Sequence, residues 1–159
     1  MRVVASPSTP WTLSIRVPEW AQGSTLAVND EAAVDVTPGY AEVRREFRAG
    51  DVVRLSLPML PRITRPDPRI DAVRGCIVVE RGPEVFALES VDLSARLAAG
   101  GFENVRLADG STPRDSDGGV AVDLVHRGEP DVTEQVALVR YHDWAGRGPS
   151  TMRVWIPTS

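Results

Sequence analysis

WTLSIRVP, running from Trp11 to Pro18, is the stretch whose reading decides the fold class. Trp11, Leu13, Ile15 and Val17 alternate with Thr12, Ser14 and Arg16. Side chains on an extended chain point to opposite faces with a period of two, so this pattern predicts a strand with one buried face. Pro18 stops it, because proline has no N–H to donate to a ladder. The same logic extends in the C-terminal direction. Leu26 and Val28 lead into Asn29-Asp30, residues that tolerate the left-handed conformation of a tight turn, and Val34 and Val36 continue on a return strand. Pro38-Gly39 marks a turn before residues 40–47, where Ala41, Val43, Arg45 and Phe47 alternate with Tyr40, Glu42, Arg44 and Glu46. Ala49-Gly50-Asp51 turns the chain again, and Val53, Leu55 and Leu57 give the next core face. Strands at roughly 8–12-residue spacing with turn residues between them predict an antiparallel, jelly-roll-like β-sandwich.

The rest of the chain is also read as β-rich. Pro58, Pro61, Pro66 and Pro68 predict an extended surface crossing, residues 76–79 a strand covered on both faces, and Arg81-Gly82-Pro83 a turn into residues 85–88. Residues 92–99 form the single expected helix, capped by Asp92 and ended by Gly100. Residues 109–119 read as a polar, turn-rich loop, followed by strands at 120–125, 136–141 and 152–156. A domain boundary is expected near Ser90, giving a sandwich over 1–90 and a second, smaller β-rich subdomain over 91–159.

Composition narrows the function classes. The chain has 159 residues and a net charge of −4, which argues against a nucleic-acid partner needing a basic face. All 18 basic residues are arginine, a bias that fits a GC-rich coding sequence. No apolar run approaches the roughly 20 residues of a membrane helix, so no membrane partner is expected. The first residues, Met1-Arg2-Val3-Val4-Ala5-Ser6-Pro7, do not form a secretory signal, which makes the cytoplasm the expected location unless an export signal lies upstream in a longer parent. The lone Cys76 excludes an internal disulfide and a thiolate-rich metal site.

Candidate chemistry is sparse. Glu80, Glu84 and Glu89 lie near one hairpin and are the carboxylates a glycoside-cleaving pair would use; their ordinary reading is ion pairing, with Arg81 or Arg74 as partners. His126 and His142 lack HxH or HExxH spacing, and His142 and Asp143 would face opposite sides of a strand. Residues 115–118 (DSDG) open like a calcium loop but lack its later ligands, with Pro113 and Leu124 at the positions that matter. Cys76 reads as a small core hydrophobe. No nucleophile elbow, phosphate loop or dinucleotide fingerprint is present, so no cofactor, metal site or catalytic residue is expected. The aromatic residues carry the binding potential. Trp20, Tyr141, Trp144 and Trp155 are candidates for a platform on which a sugar ring stacks, with Arg147 donating to its hydroxyls; packing against a neighbouring domain accounts for the same residues. Trp11 and Trp155, on alternating strands, are expected in the core.

Four phrases together resemble the C-terminal β-rich region of glycoside hydrolase family 127, the β-L-arabinofuranosidases: LSIRVPEWA at 13–21, GYAEVRREFRAGDVVRLSLPM at 39–59, GCIVVERGPEVFALES at 75–90 and YHDWAGRGPSTMRVWIP at 141–157. Asn29-Asp30 is similar to the family's Asn-Gly turn. Gly39, Tyr40, Val43 and Arg45 match its phrase before a Gly-Asp turn, with Phe47 in place of Trp. Arg81-Gly82-Pro83, Phe86 and Glu89 resemble its R-G-P-x-V-Y-x-x-E phrase, and Tyr141, Trp144, Ala145, Arg147 and Gly148 its closing phrase, with Gly146 in place of Asn. The resemblance implies that catalysis belongs to a helical (α/α)6 barrel upstream, with an acidic residue and a zinc-associated cysteine cluster acting in a retaining mechanism. None of those positions has a counterpart here. The implied role is a non-catalytic, structural region whose partner is that barrel, inactive alone; a carbohydrate-binding module is the alternative. A small hydrolase using Glu80 or Glu89 is a third class. The resemblance also places Met1 inside the first sandwich, which predicts an open sheet edge and a homodimer or strand exchange.

Overall fold

A computed structural model describes residues 1–158. The chain divides into two units, residues 1–59 and 60–159.

The first unit holds five strands: β1 (Trp11–Val17), β2 (Thr25–Val28), β3 (Val34–Asp35), β4 (Gly39–Arg45) and β5 (Val53–Ser56). β1 pairs antiparallel with β4, Trp11 opposite Arg45 and Val17 opposite Gly39; β3, β2 and β5 form a second sheet in that order. The inward residues of both sheets, Val17, Ala41, Leu26, Val28 and Val53, share one core with Phe47, which makes this unit a sandwich. The alternation in β1 and β4 is obeyed, with Trp11, Leu13, Ile15 and Val43 packed on the core and Thr12, Ser14 and Arg16 exposed. Phe47 is the largest fully buried side chain of the unit, and its ring lies 4.7 Å from that of Trp11. Turn chemistry completes the unit. Asn29 adopts φ +53, the left-handed conformation that asparagine tolerates. From there its amide donates to Asp51 Oδ1 at 3.0 Å and accepts from the Val52 N–H at 2.8 Å. Asp51 also accepts from the Arg48 N–H, and these bonds hold its carboxyl below its ordinary pKa.

The second unit is a single antiparallel sheet. Its strands are β6 (Pro61–Thr64), β7 (Cys76–Arg81), β8 (Glu84–Glu89), β9 (Val105–Leu107), β10 (Arg114–Ser116), β11 (Gly119–His126), β12 (Glu129–Arg140), β13 (Met152–Arg153) and β14 (Ile156–Pro157). The main path runs β10-β11-β12-β8-β7-β14, with β9 on β11, β6 on β7 and β13 on β8. A bridge between Leu107 and Thr158 then links the β14 end to β9, so the sheet curls back on itself. Ile77, Val79, Phe86, Leu88, Val120, Val122, Leu124, Val136, Leu138 and Ile156 fill the interior. Val78, on the other face of β7, is buried too, as expected of a strand covered on both sides. Gly119 admits no side chain: a Cβ there would stand 2.5 Å from the Leu138 carbonyl oxygen.

The all-β, antiparallel class holds, with four corrections of detail. Residues 92–99 form no α-helix; a 3-10 turn at Ser90–Asp92 is followed by a single turn in which the Ala98 N–H reaches the Ser94 carbonyl. Leu97 is buried in the core and Leu93 packs against it, so the segment makes its apolar contacts through these turns without a continuous helix. The polar loop at 109–119 contains β10, which forms a hairpin with β11. The proline-rich crossing contains β6, paired along β7. The division at residues 59 and 60 also differs from the boundary expected near Ser90, because the β7–β8 hairpin pairs onward with β12 and β14 of the second unit. No helix among the described residues is long and apolar enough to cross a membrane.

Candidate functional site

The densest polar constellation lies where β8 ends. Glu89 is the last residue of β8, and its carboxylate is completely buried, which demands that both oxygens be satisfied. Oε1 accepts from the Ala145 N–H and the Ser150 hydroxyl, each at 2.7 Å. Oε2 accepts from Arg147 Nη2 at 2.5 Å. The same guanidinium donates to both oxygens of Asp92, at 2.7 and 2.6 Å. The Ala145 N–H, then Arg147 and Ser150 outweigh desolvation and hold the Glu89 carboxyl at about 2; Asp92, then Glu89, raise the pKa of Arg147.

The chain folds this way because residues 141–150 wrap the end of β8. Met152 pairs with Glu89 across β13–β8, the Ser90 N–H donates to the Thr151 carbonyl, and the Thr151 N–H donates to the Ser90 hydroxyl. Within the loop the Gly146 N–H reaches the Asp143 carbonyl and the Gly148 N–H the Ala145 carbonyl. Ala145 sits at φ +61, a conformation alanine rarely adopts, and the carboxylate bond to its N–H helps hold it there. This is an ionised, fully engaged carboxylate. A general acid in glycoside cleavage needs a raised pKa, and a nucleophile needs open access to the sugar; Glu89 has neither.

The other candidates are dispersed. Arg147 ties Glu89 to Asp92, and its side chain stays half exposed. Tyr141 and Trp144 are exposed at 49% and 40%, on the loop that this arginine anchors. Trp20 is half-buried and belongs to the first unit. Trp155, expected in the core, instead lies half-buried at the bend between β13 and β14. Glu80 pairs with Arg62 at 2.9 Å and accepts from the Thr64 hydroxyl, and Glu84 bridges Arg81 and Arg140. His126 faces the Ala99 carbonyl through Nε2 and takes the Gly128 N–H on Nδ1, whereas His142 is exposed beside Asp143. Asp115 lies on β10 and pairs with Arg81. Among the described residues no group of three or more His, Cys, Asp or Glu side chains is placed to hold a metal ion. The residues of this chain therefore do not fit the zinc-associated cysteine cluster that the resemblance implies for the barrel.

The Glu89–Arg147 pair joins two of the phrases on which the family resemblance rests, and comparison with known proteins settles that resemblance. Residues 61–157 match the glycoside hydrolase family 127 C-terminal domain, and residues 1–59 match the GH127 middle domain of β-L-arabinofuranosidases. The chain belongs to glycoside hydrolase family 127. A non-reducing end β-L-arabinofuranosidase of Bifidobacterium longum subsp. longum is 34% identical over 89% of this chain and 25% of its own length. Among solved structures, a GH127 β-L-arabinofuranosidase from Geobacillus stearothermophilus T6 superposes with a TM-score of 0.72 at 27% identity, covering 97% of this chain and 28% of that one. A second GH127 β-arabinofuranosidase gives 0.73 at 26% identity, covering 98% and 29%. This family 127 chain thus spans about a quarter of the length of its relatives. Its two units coincide with the two family domains, and the end of the middle-domain match at residue 59 falls on the division of the fold.

Proposed function

We propose that this chain is a non-catalytic accessory region of a family 127 glycoside hydrolase, structural in role, working beside a catalytic domain carried by the rest of a longer protein. The observation that carries the reading is the state of Glu89. The most strongly perturbed carboxylate among the described residues is buried, ionised and used on three sides to fasten the loop at 141–150. Glu80 and Glu84 are likewise committed to arginines. The relatives, roughly four times longer than this chain, are arabinofuranosidases by name, which supports a parent of that activity.

The test is an assay of the purified chain on an aryl β-L-arabinofuranoside. The expected result is release of the aryl group no faster than from substrate alone. Turnover that co-elutes with the chain and disappears in Glu80→Gln or Glu89→Gln would overturn the reading in favour of a small independent hydrolase.

A further inference from the structure

An open groove of about 520 Å³ on the second unit plays no part in the Glu89 cluster. It is lined by Val85, Tyr141, Met152, Val154 and Trp155. Three segments meet there because of strand pairing: Arg140 lies opposite Phe86, and Met152 opposite Glu89, both across β8. Two of the five lining side chains are aromatic and three are aliphatic.

The surroundings select a ligand. Of the charged residues adjacent in sequence to the lining, Arg140 lies 2.7 Å from Glu84 and the Arg153 guanidinium sits 5.1 Å from the centre of the Phe102 ring. None of the five lining residues carries a charge, so the groove itself offers a charged ligand no counter-charge. Yet the groove is not purely apolar in its demands. The Tyr141 hydroxyl and the Trp155 indole N–H make no hydrogen bond among the described residues, so an entirely apolar occupant would leave both without partners. The chemistry that satisfies rings and donors together is a neutral ring with C–H faces and hydroxyl edges.

We propose that this groove is a carbohydrate-binding site, taking a neutral sugar ring against Tyr141 and Trp155, with its hydroxyls bonded to the phenol and the indole N–H. The assignment does not depend on Trp144, Arg147 or Trp20. It is also independent of whether the chain hydrolyses anything. An open groove of this kind binds through few contacts, so the expected affinity is weak.

The experiment follows the tryptophan indole resonances of the purified chain by heteronuclear NMR, titrated with a panel of arabino-, xylo- and cello-oligosaccharides. Trp155→Phe assigns the indole signal and removes its N–H while keeping a ring in place. Expected is a saturable shift of the Trp155 signal with at least one of these sugars. The Tyr141→Ala variant should weaken binding about tenfold and Trp155→Phe about three- to tenfold, with Trp144→Ala unchanged. Absence of a shift across the panel at tens of millimolar would overturn the site. So would a shift confined to the Trp144 or Trp20 signal, or unaltered affinity in both groove variants. A shift of the Trp155 signal on concentrating the chain without sugar would assign the groove to a second copy instead.

Discussion

The two units hold themselves together by different means. In residues 1–59 the core is built largely from the alternation of β1 and β4, and the part-buried tie from Asn29 to Asp51 joins two turns. In residues 60–159 the decisive polar tie is buried and spans 58 positions in sequence, from Glu89 to Arg147. A local pattern suffices for the first unit because each strand needs only one apolar face. The second has a carboxylate where its sheet meets the loop, and burial of that charge forces three distant donors into place.

Truncating the core should hurt most, and should do so in both units. Phe47→Ala and Phe86→Ala each remove a fully buried ring, at a cost of about 3–5 kcal/mol. Denaturant unfolding of the two variants measures it; if the units melt separately, each variant lowers only its own transition. Next comes Glu89→Ala. It abolishes the carboxylate's three bonds but leaves Arg147 paired with Asp92, so the loss is about 2–3 kcal/mol.

The pH dependence separates the units further. Glu89 has a folded pKa of about 2 against an ordinary 4.5, so the ionised form is favoured by folding. Its contribution is fully present above about pH 5 and fades as pH falls through the range between those values. Glu89→Gln should flatten that acid limb for the second unit, as read by unfolding midpoints from pH 2 to 7. Asn29→Ala should cost about 1–2 kcal/mol in the first unit, since alanine resists the left-handed conformation and restores neither amide bond. The smallest effect is expected at Ala145: glycine relieves the strain at φ +61 at some entropic cost, and the net change in stability should lie within about 1 kcal/mol.

The strands of the first unit were legible because Trp11 to Val17 and residues 40–47 alternate so cleanly that one period explains them. Asn29 was legible as a turn residue, although its amide bonds to Asp51 and Val52 were not. In the second unit β6 was hidden by Pro61, which argues locally against a strand but starts one on the flank of β7. The stretch at 92–99 carried helical spacing but buries Leu97 through separate turns, and Asp92 went to Arg147 rather than to a cap. The Glu89 cluster left only an indirect signal. Glu89 and Arg147 each belonged to a phrase that carried the family resemblance, yet nothing in the spacing of single residues paired them. Trp155 looked like core because its neighbours alternate; the bend between β13 and β14 turns it towards the groove instead.

That Glu89 is a structural carboxylate is tested most directly by its own titration, followed through the side-chain carboxyl carbon by NMR. An apparent pKa near 2, with acid-induced loosening of the loop at 141–150, is the predicted result. A pKa above 5, in the range of a proton-donating catalytic acid, would contradict it.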